Sequence, residues 1–285
     1  IENYKKQNIN EDLSLRIYST RLLGKNPNLV LHGGGNTSLK SKIVDAKNNL
    51  ISVIYVKGSG WSMDSMEPFG MPAIKLEPLL KLEMLESLSD EEMVNECRSN
   101  LINFNSPNPS VETLLHAFLP HKYIDHTHAN AILSITGQAD AVKIISEIYE
   151  ESVAIIPYVM PGFQLAKVCS TVYKKNTNVE GIILLNHGIF SFGDSAYKSY
   201  RNMLKLVSKA ENFINKNKKS FFISQRAEKK FTKINNISNV LRGVLSEEFD
   251  YKKRFILSLR NNKHCRDFAN GAEVSRYANQ GTVTP

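Results

Sequence analysis

The segment Gly181-Ile-Ile-Leu-Leu-Asn186 constrains the fold more than any other stretch of this chain. Its apolar residues run on without the alternation that lets one face of a strand meet water, so it reads as a strand buried within a sheet. The neighbouring segments extend the pattern. Lys122–His128 and Val153–Val159 also read as strands, whereas Asp140–Tyr149, Gln164–Tyr173 and the longer amphipathic Asp194–Asn215 place apolar residues at helical spacing. Strand and helix alternate through the middle third, which is an α/β layout. Taken alone, the alternation suggests a parallel sheet.

Before this region, Asn10–Leu23 reads as a helix capped by Asn10 and stopped by a left-handed Gly24. Asn28–His32 and Ser52–Lys57 read as strands, each ending in a glycine-rich segment, His32-Gly-Gly-Gly-Asn-Thr-Ser38 and Lys57-Gly-Ser-Gly60. Ile74–Leu88 and Asp90–Cys97 look helical, and the turn Pro107-Asn-Pro-Ser110 lets Ser110 cap a helix through Glu112, Leu115 and Phe118. Between Lys216 and Lys233 stand seven basic residues and one acid, and there the pattern breaks. The expected division is therefore residues 1–215 as one domain. Residues 216–285 follow as a basic boundary segment and a small appendage, with a strand at Arg254–Arg260 and short helices.

Composition narrows the functional classes. A hydrophobic share of 42%, a charged share of 22% and a mean hydropathy of -0.27 describe an ordinary globular protein, and 285 residues suffice for a large core. No stretch approaches the ~18 apolar residues of a membrane-spanning helix, and Ile1–Asn10 lacks the apolar centre of a signal peptide, so a cytoplasmic location is expected. Cys97, Cys169 and Cys265 show no CxxC spacing, which argues against a disulfide framework or a thiolate metal site. The basic block holds +6 of the net charge of +8. The excess is thus a solvated boundary rather than a nucleic-acid-binding face.

Three histidines carry the strongest chemical signal. His126 and His128 lie two apart in a strand-like segment, which puts them on one face about 7 Å apart. His187 follows the apolar strand at its C-terminal end, where open α/β sheets place their sites. Three neutral imidazoles with an open fourth position form a catalytic metal arrangement; on spacing alone, buried histidines satisfied by hydrogen bonds are an equal reading. Glu112 sits in the first turn of a helix, where the dipole favours an acid, and beside a metal it becomes a candidate general base. His116, four residues on, shares its helix face as a supporting partner or a packing residue. Trp61 is either a pocket wall or core. The two glycine-rich segments are ordinary turns or anion cradles, with Asn36, Thr37, Ser38, Ser59 and Ser110 as extra donors to a phosphate. Neither has the spacing of a nucleotide-binding loop.

In order along the chain, Gly-Gly-Gly-Asn-Thr-Ser (33–38), Lys-Gly-Ser-Gly (57–60), Pro-Ser-Val-Glu (109–112), His-Thr-His (126–128) and Asn-His-Gly-Ile (186–189) resemble the class II aldolase/adducin family over about residues 12–215. Tyr55-Val-Lys-Gly-Ser-Gly-Trp61 and the terminal Gly281-Thr-Val-Thr-Pro285 are most similar to the aldolase part of bifunctional rhamnulose-1-phosphate aldolase/alcohol dehydrogenase proteins. The resemblance implies a three-layer α/β/α fold with a central, mainly antiparallel sheet, assembled as a homotetramer with sites at subunit junctions. It implies Zn2+, or another divalent transition metal, on His126, His128 and His187, and Glu112 as catalytic acid/base. Asn36, Thr37, Ser59, Gly60 and Ser110 fall in the segments that hold the substrate phosphate, while Val111 stands where fuculose-phosphate aldolases have a second serine. Tyr149 and Tyr158 stay unassigned against the tyrosine that some members supply from a neighbouring subunit.

The implied reaction is cleavage of a ketose 1-phosphate such as rhamnulose 1-phosphate to dihydroxyacetone phosphate and an aldehyde. Family members with the same metal site are epimerases, decarboxylases or dehydratases, and adducin keeps the fold as an interaction module without the metal ligands. Neither a membrane nor a nucleic acid is an expected partner. The bifunctional relatives continue into a short-chain dehydrogenase domain, so the chain reads either as a unit that lacks this C-terminal domain or as a stand-alone aldolase unit.

Overall fold

The computed structural model describes residues 10–31, 34–217, 233–259, 261–271 and 274–279. Outside them lie Ile1–Ile9, His32-Gly33, most of the basic block at Lys218–Thr232, Arg260, Ala272-Glu273 and the terminal Gln280–Pro285. Two compact units emerge, meeting in sequence at Asn217 and Lys218.

The first unit is built on seven strands: β1 (Asn36–Val44), β2 (Leu50–Val56), β3 (Ala73–Lys75), β4 (Tyr123–Thr127), β5 (Val153–Ile156), β6 (Gly181–Leu184) and β7 (Gly188–Gly193). They pair in the order β3-β2-β1-β4-β7-β6-β5. Every neighbouring pair is antiparallel except β5 with β6. The mainly antiparallel sheet implied by the resemblance is therefore the observed one. Strand–helix alternation misleads because Gly188–Gly193 is itself a strand, returning from β6 through the tight turn Leu185-Asn186-His187, and a tight return forces antiparallel pairing. Only across the helix between β5 and β6 does the alternation hold, and there the strands are parallel.

Burial explains the layers. In β6, Ile182 and Leu184 pack with Leu114, Leu115, Phe163 and Cys169, whereas Ile183 packs on the opposite face with Ile132, Ile145, Met203 and Leu206. The uninterrupted apolar run thus serves two cores. One face carries α2 (Leu76–Leu82), α3 (Asp90–Ser99), α4 (Thr113–Phe118) and α7 (Phe163–Lys175). The other carries α5 (Asn130–Thr136), α6 (Ala141–Tyr149) and α8 (Ala196–Asn217), with α1 (Glu11–Gly24) packing Leu13 and Ile17 on Leu39 and Tyr123. A fully buried ion pair, Arg16 to Asp125 at 2.5 Å, ties α1 to β4, and the Ser199 hydroxyl donates to Asp125 from α8.

Several local expectations change. Asn28–His32 is turn rather than strand where described, and Asn36-Thr37-Ser38 begins β1 because their backbone pairs with β4. Ile74–Leu88 divides into the end of β3, α2 and a turn. Gly24 is not a left-handed stop: the helix ends on Lys25 in right-handed geometry, and a Cβ at Gly24 would come within 2.3 Å of the Asp64 backbone. Ser110 is not the cap residue of α4; Glu112 holds that position, while the Ser110 carbonyl accepts from the Thr113 N–H and hydroxyl.

The second unit contains α9 (Ile234–Glu247), α10 (Lys263–Ala269) and α11 (Val274–Asn279). Residues 254–259 form no strand, contrary to the pattern Arg-Phe-Ile-Leu-Ser-Leu. No helix among the described residues is long and apolar enough to cross a membrane.

Candidate active site

The β1–β4–β7 pairing assembles the site. Asn36 and Phe190 lie opposite His126 on its two neighbouring strands, and His128 follows the end of β4. His187 enters from the β6–β7 turn, which runs through Asn186 at φ 57. Gly188 follows because a Cβ there would meet the Thr127 carbonyl at 2.5 Å and the His126 and His128 rings at 3.1 and 3.2 Å. Its missing side chain lets the turn press against the rings. As a result the His126, His128 and His187 rings have centroids 4.8–5.2 Å apart, with one nitrogen from each lying within 4.8 Å of the others.

The protonation pattern follows from the partners. His126 Nδ1 bonds the Ile189 carbonyl at 3.1 Å, an acceptor only, so Nδ1 carries the proton and Nε2 presents a lone pair toward His128 Nε2. Burial and the neighbouring rings hold His126 well below the usual histidine range, and burial together with His128 pulls His187 down to about 4. Both rings are neutral near pH 7. Clustered neutral imidazoles, one fixed in tautomer by a backbone carbonyl, are the donor chemistry of a divalent transition-metal ion, and the three histidines fit one.

Glu112 completes the cluster. It is buried, its Oε2 accepts from Asn36 Nδ2 at 2.6 Å, and its two oxygens stand 3.4 Å from His126 Nε2 and His187 Nε2. Oε1 has no hydrogen-bond partner among the described residues. Burial pushes the carboxyl up to about 7, against the Asn36 hydrogen bond and the Lys57 charge. The group opens on a cleft of ≈ 620 Å³ that includes Gly34, Gly35, Asn36, Lys57, Ser59, Gly60, Ser110, Glu112, His128 and His187.

Against this geometry, residues 16–214 match the family described as Class II Aldolase and Adducin N-terminal domain. The chain belongs to that family. A solved class II aldolase domain, the N-terminal domain of a conserved protein from Thermoplasma acidophilum, is 40% identical, with a TM-score of 0.68 over 72% of this chain and 95% of that one. The sugar-phosphate aldolase from Thermotoga maritima shares the fold at 13% identity, with a TM-score of 0.54 over 73% of this chain and 97% of that one. The uncharacterized oxidoreductase YuxG of Bacillus subtilis is 32% identical over 94% of this chain, which spans 40% of that relative's length.

Within this class II aldolase domain, the structure gathers most of the residues singled out in the sequence. Asn36, Ser59, Gly60, Ser110, Glu112, His128 and His187 line the cleft, and His126 stands directly behind them. Thr37 does not reach it. Its side chain is fully buried, with the hydroxyl 2.7 Å from that of Thr20 on α1. Trp61 also stays out of the lining, packing edge-on against Phe69. Tyr149 is buried with its hydroxyl on the Leu206 carbonyl, and Tyr158 is exposed outside the cleft. Lys57 is the residue that pattern reading overlooked. Its ammonium, lowered by burial and raised by Glu112, donates to the Trp61 carbonyl at 2.7 Å and lines the cleft from the end of β2. A lone lysine ahead of Gly-Ser-Gly carries a signal only once the turn is known to face a carboxylate.

Proposed function

We propose that this chain is a metal-dependent aldolase that cleaves a ketose 1-phosphate, such as rhamnulose 1-phosphate, to dihydroxyacetone phosphate and an aldehyde. The observation that carries this reading is the buried Glu112 carboxylate, held on one oxygen and unpartnered on the other, between two neutral imidazoles and an open cleft. An interaction module has no use for such a group, because leaving one oxygen of a buried carboxyl without a hydrogen-bond donor is costly. His126, His128 and His187 would hold the ion, which we take to be Zn2+. When bound, it supplies a Lewis acid that polarises the ketose carbonyl and steadies negative charge on its oxygen.

The remaining roles fall to the chain's own groups. As the C3–C4 bond breaks, its electron pair moves toward the C2 carbonyl and the C4 hydroxyl loses its proton to a base other than Glu112. Glu112, in the protonated form that its raised carboxyl supports, then gives its proton to C3, and the proton taken from the C4 hydroxyl makes up the loss through solvent. Lys57, with the Ser59 and Ser110 hydroxyls and the Gly60 backbone in its left-handed turn, forms the anion cradle for the phosphate. Asn36 belongs to both sets, since its amide reaches Glu112 and Ser110. Thr37 acts here only through its backbone and its tie to α1.

We assign the catalytic unit to residues 1–215 and the remainder to an appendage, and we propose a homotetramer for the working form. The deciding experiment offers the metal-loaded protein a panel of ketose 1-phosphates and traps released dihydroxyacetone phosphate by coupled reduction. Release from one or more of them is expected. Epimerised, decarboxylated or dehydrated product without any triose phosphate would overturn the aldolase assignment.

A further inference from the structure

Glu112 is held by an amide whose two ends have nearly the same shape, so something must decide which end faces the carboxylate. Asn36 Nδ2 approaches two acceptors, Glu112 Oε2 at 2.6 Å and Ser110 Oγ at 3.1 Å, which makes this end the NH2 group. Its oxygen consequently points the other way, to His116 Nε2. A carbonyl oxygen only accepts, so Nε2 must carry the ring proton, and Nδ1 then accepts from the Ser38 hydroxyl at 2.8 Å. His116 is fully buried in α4, its ring edge-on to Phe190, which in turn stacks on His126. Burial, with the charges of Lys40 and Arg16, keeps it neutral.

We infer that His116 is a positioning residue that acts through Asn36: the relay Ser38 to His116 to Asn36 to Glu112 runs with one hydrogen-bond direction and locks the amide with its NH2 toward the catalytic carboxylate. Reversed, the amide would set its oxygen against Glu112, and the carboxylate would swing away from the cleft. The role deepens the aldolase reading and rests on it for its kinetic consequence alone; the direction of the relay stands on geometry.

The test has two arms. In protein carrying 15N-labelled histidine rings, with and without added Zn2+, His116 is expected as the neutral tautomer protonated at Nε2, and the Asn36 side-chain amide is expected to exchange slowly. For turnover, His116→Leu should lower kcat about 10- to 100-fold, as loss of a group supporting a metal-site residue does, with KM and bound metal little changed. His116→Gln, whose amide donates to Asn36 and accepts from Ser38, should recover most of that loss. An Nδ1-protonated or charged ring overturns the relay, and so does an equal loss in the two variants. Should His116→Leu fail to fold, the Gln variant and the wild-type ring spectrum still decide. If no ketose phosphate is cleaved, the aldolase reading falls while the ring and amide signals continue to judge the relay.

Discussion

His128 Nε2 lies 3.0 Å from His126 Nε2. The His126 ring has its proton on the far side, at the Ile189 carbonyl, so the two nitrogens converge on a position that favours a cation. Purified protein is expected to bind one divalent transition-metal ion per chain, measured by elemental analysis, and His126→Ala or His187→Ala should abolish binding. Ion at a hundred times its Kd adds about 2.7 kcal/mol by mass action. For a unit of this size that is a rise in Tm of roughly 5–10 °C over the chelator-treated protein. An unchanged Tm together with no bound metal would remove the metal from the site.

Glu112 and the histidines are separable experimentally. Glu112→Gln keeps the shape and the acceptor for Asn36 but cannot exchange a proton, so cleavage should fall about 10²- to 10⁴-fold, as for loss of a general acid–base group. Metal content should stay at the wild-type level, because the rings are untouched. Unchanged turnover would assign the proton transfer elsewhere.

Lys57 tests the anion cradle. A charge-assisted hydrogen bond is worth about 1.5–3 kcal/mol, so Lys57→Met should raise KM for a phosphorylated ketose about 10- to 100-fold. Inhibition by inorganic phosphate should weaken in parallel. A variant with unaltered KM and phosphate inhibition would place the phosphate away from β2.

The site was more legible in the sequence than the sheet, and the reasons are physical. His187 follows a plain apolar run, His126 and His128 keep the two-residue spacing of a strand, and Glu112 follows a Pro-Asn-Pro turn that announces its helix. β1 hid because it opens with Asn36-Thr37-Ser38, polar residues whose side chains bond Glu112, Thr20 and His116 instead of packing apolar surface. The same residues explain the exchange of roles in the cleft: along β1 alternate side chains face opposite ways, so Asn36 and Thr37 cannot both serve one ligand. Thr37 bonds Thr20 on α1, and Lys57 lines the cleft from the end of the adjacent strand.

His121 provides a pH test outside the site. Its ring stacks on Phe192 at 4.0 Å and meets Tyr173 edge-on, and its Nε2 is buried without a hydrogen-bond partner among the described residues. Burial, with the Lys40 charge, pulls it down to about 4, whereas an unfolded histidine titrates near 6.5. Between those values the unfolded chain binds the extra proton, so the folded state is favoured above pH 6.5 and loses that advantage as pH falls toward 4. His121→Phe keeps the stacking and removes the titration. Urea midpoints at pH 7 should differ little between variant and wild type, while at pH 4.5 the variant should be the more stable, its acid slope reduced by as much as one proton. Parallel losses in the two proteins between pH 7 and 4.5 would show that His121 is charged in the folded state and that the stacked pocket tolerates the proton.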